Sequence, residues 1–253
     1  MSGILSVCHL GPTPYREGLA LQEALVRRRA AARNGASGGA EAMDWLLFPD
    51  HPAVLTMGRG GSEQSLRVSR ESLAARGVEL FEVARGGDLT WHGPGQLVGY
   101  PIVDLEPRGR DLHRYLRDLE EVLILALERW GIPARSVPGR TGVWGGGEKI
   151  ASLGIAVRHW VGYHGFALNV SPDLGFFELI HPCGLRGIHM TSVASRLGAS
   201  APTLDRARHE VAELLADRLG YDGIRWAPAE EVRNLPSGIE TSTVTPAIAH
   251  HAA

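Results

Sequence analysis

The sequence is short of cysteine, of long apolar runs and of excess charge of either sign. Each shortage excludes a class of protein. Only Cys8 and Cys183 are present, so at most one bridge could form, and two free thiols in a reducing cytoplasm is the simplest reading. No stretch approaches the roughly 20 consecutive apolar residues that cross a bilayer. Met1-Ser2-Gly3-Ile4-Leu5 has no basic segment leading into a long apolar core, so no secretory signal is read there. A formal net charge of -2 gives no global attraction to nucleic acid or to a membrane surface. Metal spacing is missing as well: there is no His-x-x-x-His with a carboxylate and no Cys-x-x-Cys. Glycine clusters at 58–61, 85–87 and 145–147 could pass for phosphate cradles, but none continues into a Walker-type Lys-Ser/Thr. Neither a metal nor a nucleotide cofactor is expected.

What is abundant is glycine, and it is concentrated. Between Arg85 and Pro101, five glycines and two prolines crowd into seventeen positions. Glycine lets backbone come close to another group. Arg85, Asp88, Thr90, His92 and Gln96 are interleaved with these glycines, more polar variety than a plain turn requires. The stretch therefore reads as one wall of a binding cleft.

The remaining pattern mixes strands and helices. Thr13-Pro14 opens a helix that ends near Asn34-Gly35, and Gly35 to Ala40 is a loop. Asp44 to Phe48 and Ala53 to Met57 read as strands around a Pro49-Asp50-His51-Pro52 turn. Ser69 caps a short helix that stops at Gly77, and Val78 to Ala84 and Leu97 to Val103 are strands. Asp111 caps the clearest helix, whose Leu112, Leu116, Leu119, Leu123, Ala126, Leu127 and Trp130 recur at three and four before Gly131. Gly142 to Trp144, Lys149 to Val157 and Val161 to Val170 are extended, Ser192 to Leu197 and Thr203 to Leu219 helical, and Ile224 to Trp226 an edge strand. The fold class is α/β (α+β), a mixed β-sheet with flanking helices. Residues 1–233 form one domain, and 234–253, without periodicity, form a mobile tail.

Two residues stand out as chemistry. A free cysteine is by default a small buried apolar residue. Cys183 departs from that because Pro182 and Gly184 place it on a constrained loop with room beside the sulfur, whereas Cys8 sits in an apolar start and keeps the default. Lys149 begins an apolar strand after Gly145-Gly146-Gly147. It is either a solvated strand end or, pointing into a cleft, a cation that favours a nearby thiolate. His92, His164 and His181 lie in or beside these segments.

Four segments in order, Arg85 to Pro101, Lys149-Ile150-Ala151-Ser152-Leu153-Gly154, His164-Gly165-Phe166-Ala167-Leu168-Asn169-Val170 and Pro182-Cys183-Gly184, resemble the lipoyl(octanoyl) transferase family of lipoate biosynthesis. The resemblance runs from about residue 43 to about residue 197. It implies a fold like the biotin and lipoate ligase catalytic domain, with Cys183 as acyl-thioester nucleophile and Lys149 as its charged partner. It implies an acyl site lined by Arg85, Gly86, Gly87, Asp88, Leu89, Thr90, Trp91 and His92, by Ser152, Leu153 and Gly154, and by Gly165, Phe166 and Ala167. Trp91 stands where the family pattern has tyrosine, and the triple glycine is longer than the pattern and loosens the approach to Lys149. The implied donor is octanoyl-acyl carrier protein. The implied acceptors are lipoyl domains of 2-oxoacid dehydrogenases and the glycine cleavage H protein. An ATP-dependent lipoate or biotin ligase on the same fold, or a non-catalytic scaffold binding the same partners, are the rival readings. Acidic partners would need a local basic patch, and Arg27-Arg28-Arg29 with Arg33, or Arg108, Arg110, Arg114 and Arg117, are the candidates.

Overall fold

The computed structural model describes residues 3–33, 43–181 and 187–235. The strands are β1 (Ile4–Pro12), β2 (Trp45–Asp50), β3 (Val54–Met57), β4 (Glu79–Glu82), β5 (Leu89–His92), β6 (Gln96–Ile102), β7 (Ala134–Val137), β8 (Arg140–Gly145), β9 (Glu148–Arg158), β10 (Val161–Asn169) and β11 (Gly223–Trp226). The helices are α1 (Tyr15–Arg33), α2 (Arg70–Ala75), α3 (Leu112–Arg129), α4 (Val193–Leu197), α5 (Leu204–Leu219) and α6 (Ala229–Arg233). Eight strands form one sheet in the order β11-β1-β2-β6-β10-β9-β8-β7, and β4-β3-β5 form a second. Parallel pairs (β1 with β11 and with β2) and antiparallel pairs (β6 with β2 and with β10) share the large sheet. The mixed sheet with flanking helices is as expected.

Both faces of the large sheet are covered. On one, Leu119, Leu123, Ala126 and Leu127 of α3 pack with Val211 and Leu215 of α5 against Val143, Ile150, Phe166 and Leu168. On the other, Leu25, Val26 and Ala30 of α1 pack with Cys8, Leu47, Val98 and Ala167. This double burial explains why β1 escapes a sequence reading: Leu5 and Val7 face one core, Cys8 and Leu10 the other, and no alternation is left. Helix ends follow their caps. Ser69, Asp111, Ser192 and Thr203 each accept a backbone N–H of the first turn from their side chains. Leu123 is fully buried, so Leu123→Ala should cost about 2–5 kcal/mol in urea unfolding. A loss under about 1 kcal/mol would mean that the α3 stripe is not tightly packed.

Several expectations need correction. Pro49 and Asp50 continue β2, pairing with Gly11 and Pro12 of β1 beyond the reach of β6; only one neighbour needs a ladder there, which a proline tolerates. The glycine-rich motif contains a strand, β5, and β7 and α6 were not expected. The triple glycine does not loosen anything. Gly145 pairs with Glu148, and Gly146 and Gly147 take φ of 60° and 87° in a two-residue hairpin turn. Arg196 clamps this turn through the Gly145 carbonyl (2.9 Å) and the Glu148 carboxylate (2.5 Å). Residues 35–40 and most of the expected tail lie outside the described residues. Neither basic run is a row of uncompensated cations: Arg29 pairs with Asp44, Arg33 with Glu106, Arg110 with Glu106 and Arg117 with Glu120.

Candidate active site

Three stretches far apart in sequence meet at one cavity. Its walls include Arg85, Gly87, Asp88, Leu89, Thr90 and His92, then Ser152, Leu153 and Gly154 of β9, then Gly165, Phe166 and Ala167 of β10. Tyr15 of α1, Tyr100 of β6 and His164 complete it, and its atom-free space, mouth included, is about 460 Å³. The glycines let the walls close. Gly86 N–H donates to the Ile155 carbonyl at 2.9 Å, and a Cβ on Gly154 would come within 2.9 Å of the Gly86 oxygen. The loop at 58–61 holds the motif from behind, with Arg59 N–H on the Arg85 carbonyl (2.9 Å) and Gly60 N–H on that of Gly87 (3.1 Å).

Two expected lining residues are not on the wall. Gly86 is turned onto β9, as its bond to Ile155 shows. Trp91 follows the period-two alternation of β5 onto the opposite face from Thr90 and His92. It is wholly buried and stacks on Phe176 at 5.0 Å, with Phe177 edge-on at 5.6 Å. The aromatic ring at this position is core and does not line this cavity. Arg85 lines the cavity while its guanidinium is bonded to the Thr56 carbonyl (2.6 Å) and hydroxyl (2.8 Å). Asp88 accepts the Ser65 hydroxyl (2.5 Å) and the Ser62 N–H (3.2 Å), so it ties the loop after β3 to the motif.

Beside Arg85 and Asp88, the cavity and its rim carry histidine and tyrosine side chains. His51 Nδ1 faces the Thr13 carbonyl at 2.7 Å and must donate to it, so Nε2 accepts the Tyr100 hydroxyl at 2.8 Å. Gln96 spends its amide N–H groups on the Trp91 carbonyl and on Asn169 Oδ1 (3.0 Å). Its oxygen therefore accepts from His92 Nδ1 at 2.9 Å, which leaves His92 Nε2 with a bare lone pair. Burial holds the His51 pKa down at about 4 and those of His92 and His164 at about 3. Burial likewise pushes the Tyr15 and Tyr100 hydroxyls up. His164 sits in β10 with φ of 57°, and its N–H is caught by Gln22 Oε1 at 2.8 Å. Thr90 Oγ1 and His164 Nε2 are buried with no hydrogen-bond partner among the described residues.

Lys149 is not a solvated strand end: it is 1% exposed. Its Nζ donates to the Thr141 carbonyl at 2.9 Å and lies 5.9 Å from the centre of the Trp144 ring. Its backbone is bracketed, with its N–H on the His189 carbonyl and the Thr191 N–H on its own carbonyl, both at 2.9 Å. Lys149 is not itself a wall of the cavity, but it lies three residues before Ser152, roughly 10 Å along β9. A hydrogen-bonded path also joins them: His92 to Gln96, Gln96 to Asn169, and Asn169 Nδ2 to the Thr191 carbonyl at 3.0 Å.

Cys8 keeps its default. It is fully buried, and burial, with Glu231 adding, pushes its thiol up to about 11. Cys183 lies outside the described residues. The described residues on either side of 182–186 are fixed: His181 N–H donates to the Ser65 carbonyl at 2.7 Å, and Met190 bridges to Lys149. Among the described residues no cluster could hold a metal ion, and no helix is long and apolar enough to cross a membrane.

The family description "Lipoyl protein ligase A/B catalytic domain" matches residues 14–216. An octanoyltransferase of Geobacter metallireducens is 45% identical over 84% of this chain and 94% of its own length. One of Rubrobacter xylanophilus is 47% identical over 84% and 92%. The chain belongs to the octanoyltransferase family. It is an acyltransferase, and its reaction belongs to lipoylation. The fold extends to a chain from a structural analysis of a bipartite lipoate protein ligase and its E2 lipoyl domain from Thermoplasma acidophilum, at a TM-score of 0.63 and 18% identity over 92% of this chain and 91% of that one.

For an octanoyltransferase the sequence held one signal that the motif reading passed over. Of 26 basic residues, Lys149 is the sole lysine and the other 25 are arginine. Arginine serves the other 25 basic positions, so the lone lysine stands apart from the chain's own composition. Tyr15 and His51 carried no such signal; only the fold brings Tyr15 of α1 to the cavity and sets His51, after β2, behind it with ring centroids 5.2 Å apart.

Proposed function

We propose that the chain moves an octanoyl group from octanoyl-acyl carrier protein, through a thioester on Cys183, to a lysine ε-amine of lipoyl domains, those of 2-oxoacid dehydrogenases and the glycine cleavage H protein. The observation that carries the reading is convergence. Three separated motifs line one cavity, and the chain's only lysine is buried at the head of the strand that forms one wall. In the first step the Cys183 thiolate attacks the donor carbonyl, the new C–S bond forms, the carrier's C–S bond breaks and the leaving carrier thiolate takes a proton from the Lys149 ammonium. In the second the acceptor amine attacks, the C–N bond forms, the C–S bond breaks and the thiolate is regenerated. Thioester to amide runs downhill, so no activation of the acid is needed. Lys149 favours the thiolate in the first step and moves the amine proton in the second.

The cavity suits the acyl chain. Seven carbons beyond the carbonyl, at about 0.8 kcal/mol each, are worth on the order of 5 kcal/mol when buried. Leu89, Leu153, Phe166 and Ala167 supply the apolar wall.

Mixing the protein with octanoyl-acyl carrier protein and no acceptor should give one covalent octanoyl adduct, mapped to Cys183 by peptide mass spectrometry. Adding a lipoyl domain should discharge it onto the domain lysine. A scaffold would gain no adduct, and an ATP-dependent ligase would charge the domain from free octanoate and ATP even with Cys183→Ser. Either result would overturn the proposal.

A further inference from the structure

Lys149 Nζ donates to a peptide group that is held from its other side by a buried acid. The Thr141 carbonyl that accepts Lys149 Nζ and the Gly142 N–H belong to the same peptide unit. The Gly142 N–H donates to Glu120 Oε1, also at 2.9 Å. Glu120 lies on α3, is 1% exposed and forms an ion pair with Arg117. A carboxylate on the N–H and an ammonium on the C=O polarise the amide in the same direction, so each bond strengthens the other.

We infer that Glu120 is a positioning residue for Lys149, acting through the Thr141–Gly142 peptide. The inference rests on Lys149 serving the transfer reaction. Gly142 completes the device. Its φ is 135°, and a Cβ there would meet Lys149 Cε at 2.5 Å and the Ala151 carbonyl at 2.7 Å. The lysine stem thus runs flush along bare backbone, a close approach only glycine permits. Other charged groups near it among the described residues include Arg140, 5.8 Å from the centre of the same Trp144 ring, and Glu148 and Arg196 at the β8–β9 hairpin, which pair with each other. Glu120 is a buried carboxylate that is not among the lining residues of the cavity. Its bond to the lysine's own acceptor gives it a role in catalysis.

The sole lysine makes the test direct, because ¹⁵N-lysine labelling gives one side-chain ammonium signal. Glu120→Ala should move that signal and speed its exchange with solvent. It should also lower kcat by roughly 10- to 100-fold, since a misplacement of about 1 Å costs that much, with KM for octanoyl-acyl carrier protein little changed. Glu120→Gln keeps an oxygen on the Gly142 N–H and should retain kcat within a few-fold. Arg117→Gln, which removes the ion pair alone, should leave kcat and the signal in place. Should Glu120→Ala not fold, Gly142→Ala disturbs the same contact from the strand side and should move the signal. An unmoved ammonium signal in Glu120→Ala, loss confined to KM, or a Gln variant as impaired as the Ala variant would each overturn the inference. If Lys149→Ala keeps full transfer activity, the catalytic reading of Lys149 fails instead, and the ammonium signal still decides whether Glu120 holds it.

Discussion

Cys183→Ala should reduce octanoyl transfer by on the order of 10⁴-fold or more, because removing the nucleophile removes the covalent route itself. Cys8→Ala should leave it near the wild-type rate, since Cys8 is enclosed in the core and its thiol is pushed up to about 11. Lys149→Ala should fall between the two, slower by roughly 10²- to 10⁴-fold, the range of a positioned acid–base group. The two losses should differ in kind. The Lys149 variant should still form the acyl-enzyme, slowly, and faster as pH rises and the thiolate fraction recovers. The Cys183 variant should form none at any pH. Single-turnover measurements with octanoyl-acyl carrier protein separate them. Equal residual rates with no adduct in either variant would mean that the lysine is needed for the fold of the site rather than for proton movement.

How far the sequence made this legible differs by feature. Caps at Ser69 and Asp111, helix starts at Ser192 and Thr203 and the α3 stripe were readable because each is set by neighbours within a turn or two. β1 and β7 were not. The first is buried on both faces and shows no period; the second is a four-residue edge strand, below the length at which alternation is distinguishable from chance. The glycine motif was readable as a wall, but not the direction of each side chain. Trp91 looked like part of the wall because its neighbours are. Only the presence of β5, paired with β3, puts it on the other face. The burial of Lys149 and its bond to Thr141 depend on the β8–β9 hairpin, and the bond from Gly142 to Glu120 spans 22 residues. No local pattern records either.

The neutral histidines around the cavity should make stability fall steeply as the solution becomes mildly acidic. His51, His92 and His164 have folded-state pKa values lowered by burial to about 4, 3 and 3. An unfolded histidine titrates near 6.5. Between those limits the unfolded chain binds protons that the folded chain refuses, so stability rises with pH and is lost as pH falls below about 6.5. Each histidine contributes a slope of about 1.4 kcal/mol per pH unit, and three give on the order of 4. Below about pH 4 the folded state begins to take up protons at His51, and the contribution of that residue levels off. Lowered carboxylates such as Glu106, Glu210 and Glu231 act in the same direction, but only below the ordinary carboxylate range. The window from pH 6.5 to 5 therefore isolates the histidines. Urea unfolding at half-unit steps through that window should show the steep slope. His92→Gln should reduce it by about one proton, or roughly 1.4 kcal/mol per pH unit, whatever it costs at pH 7.5. An unchanged slope in that variant would show that His92 is protonated in the folded protein, and would remove the bare lone pair assigned to its Nε2.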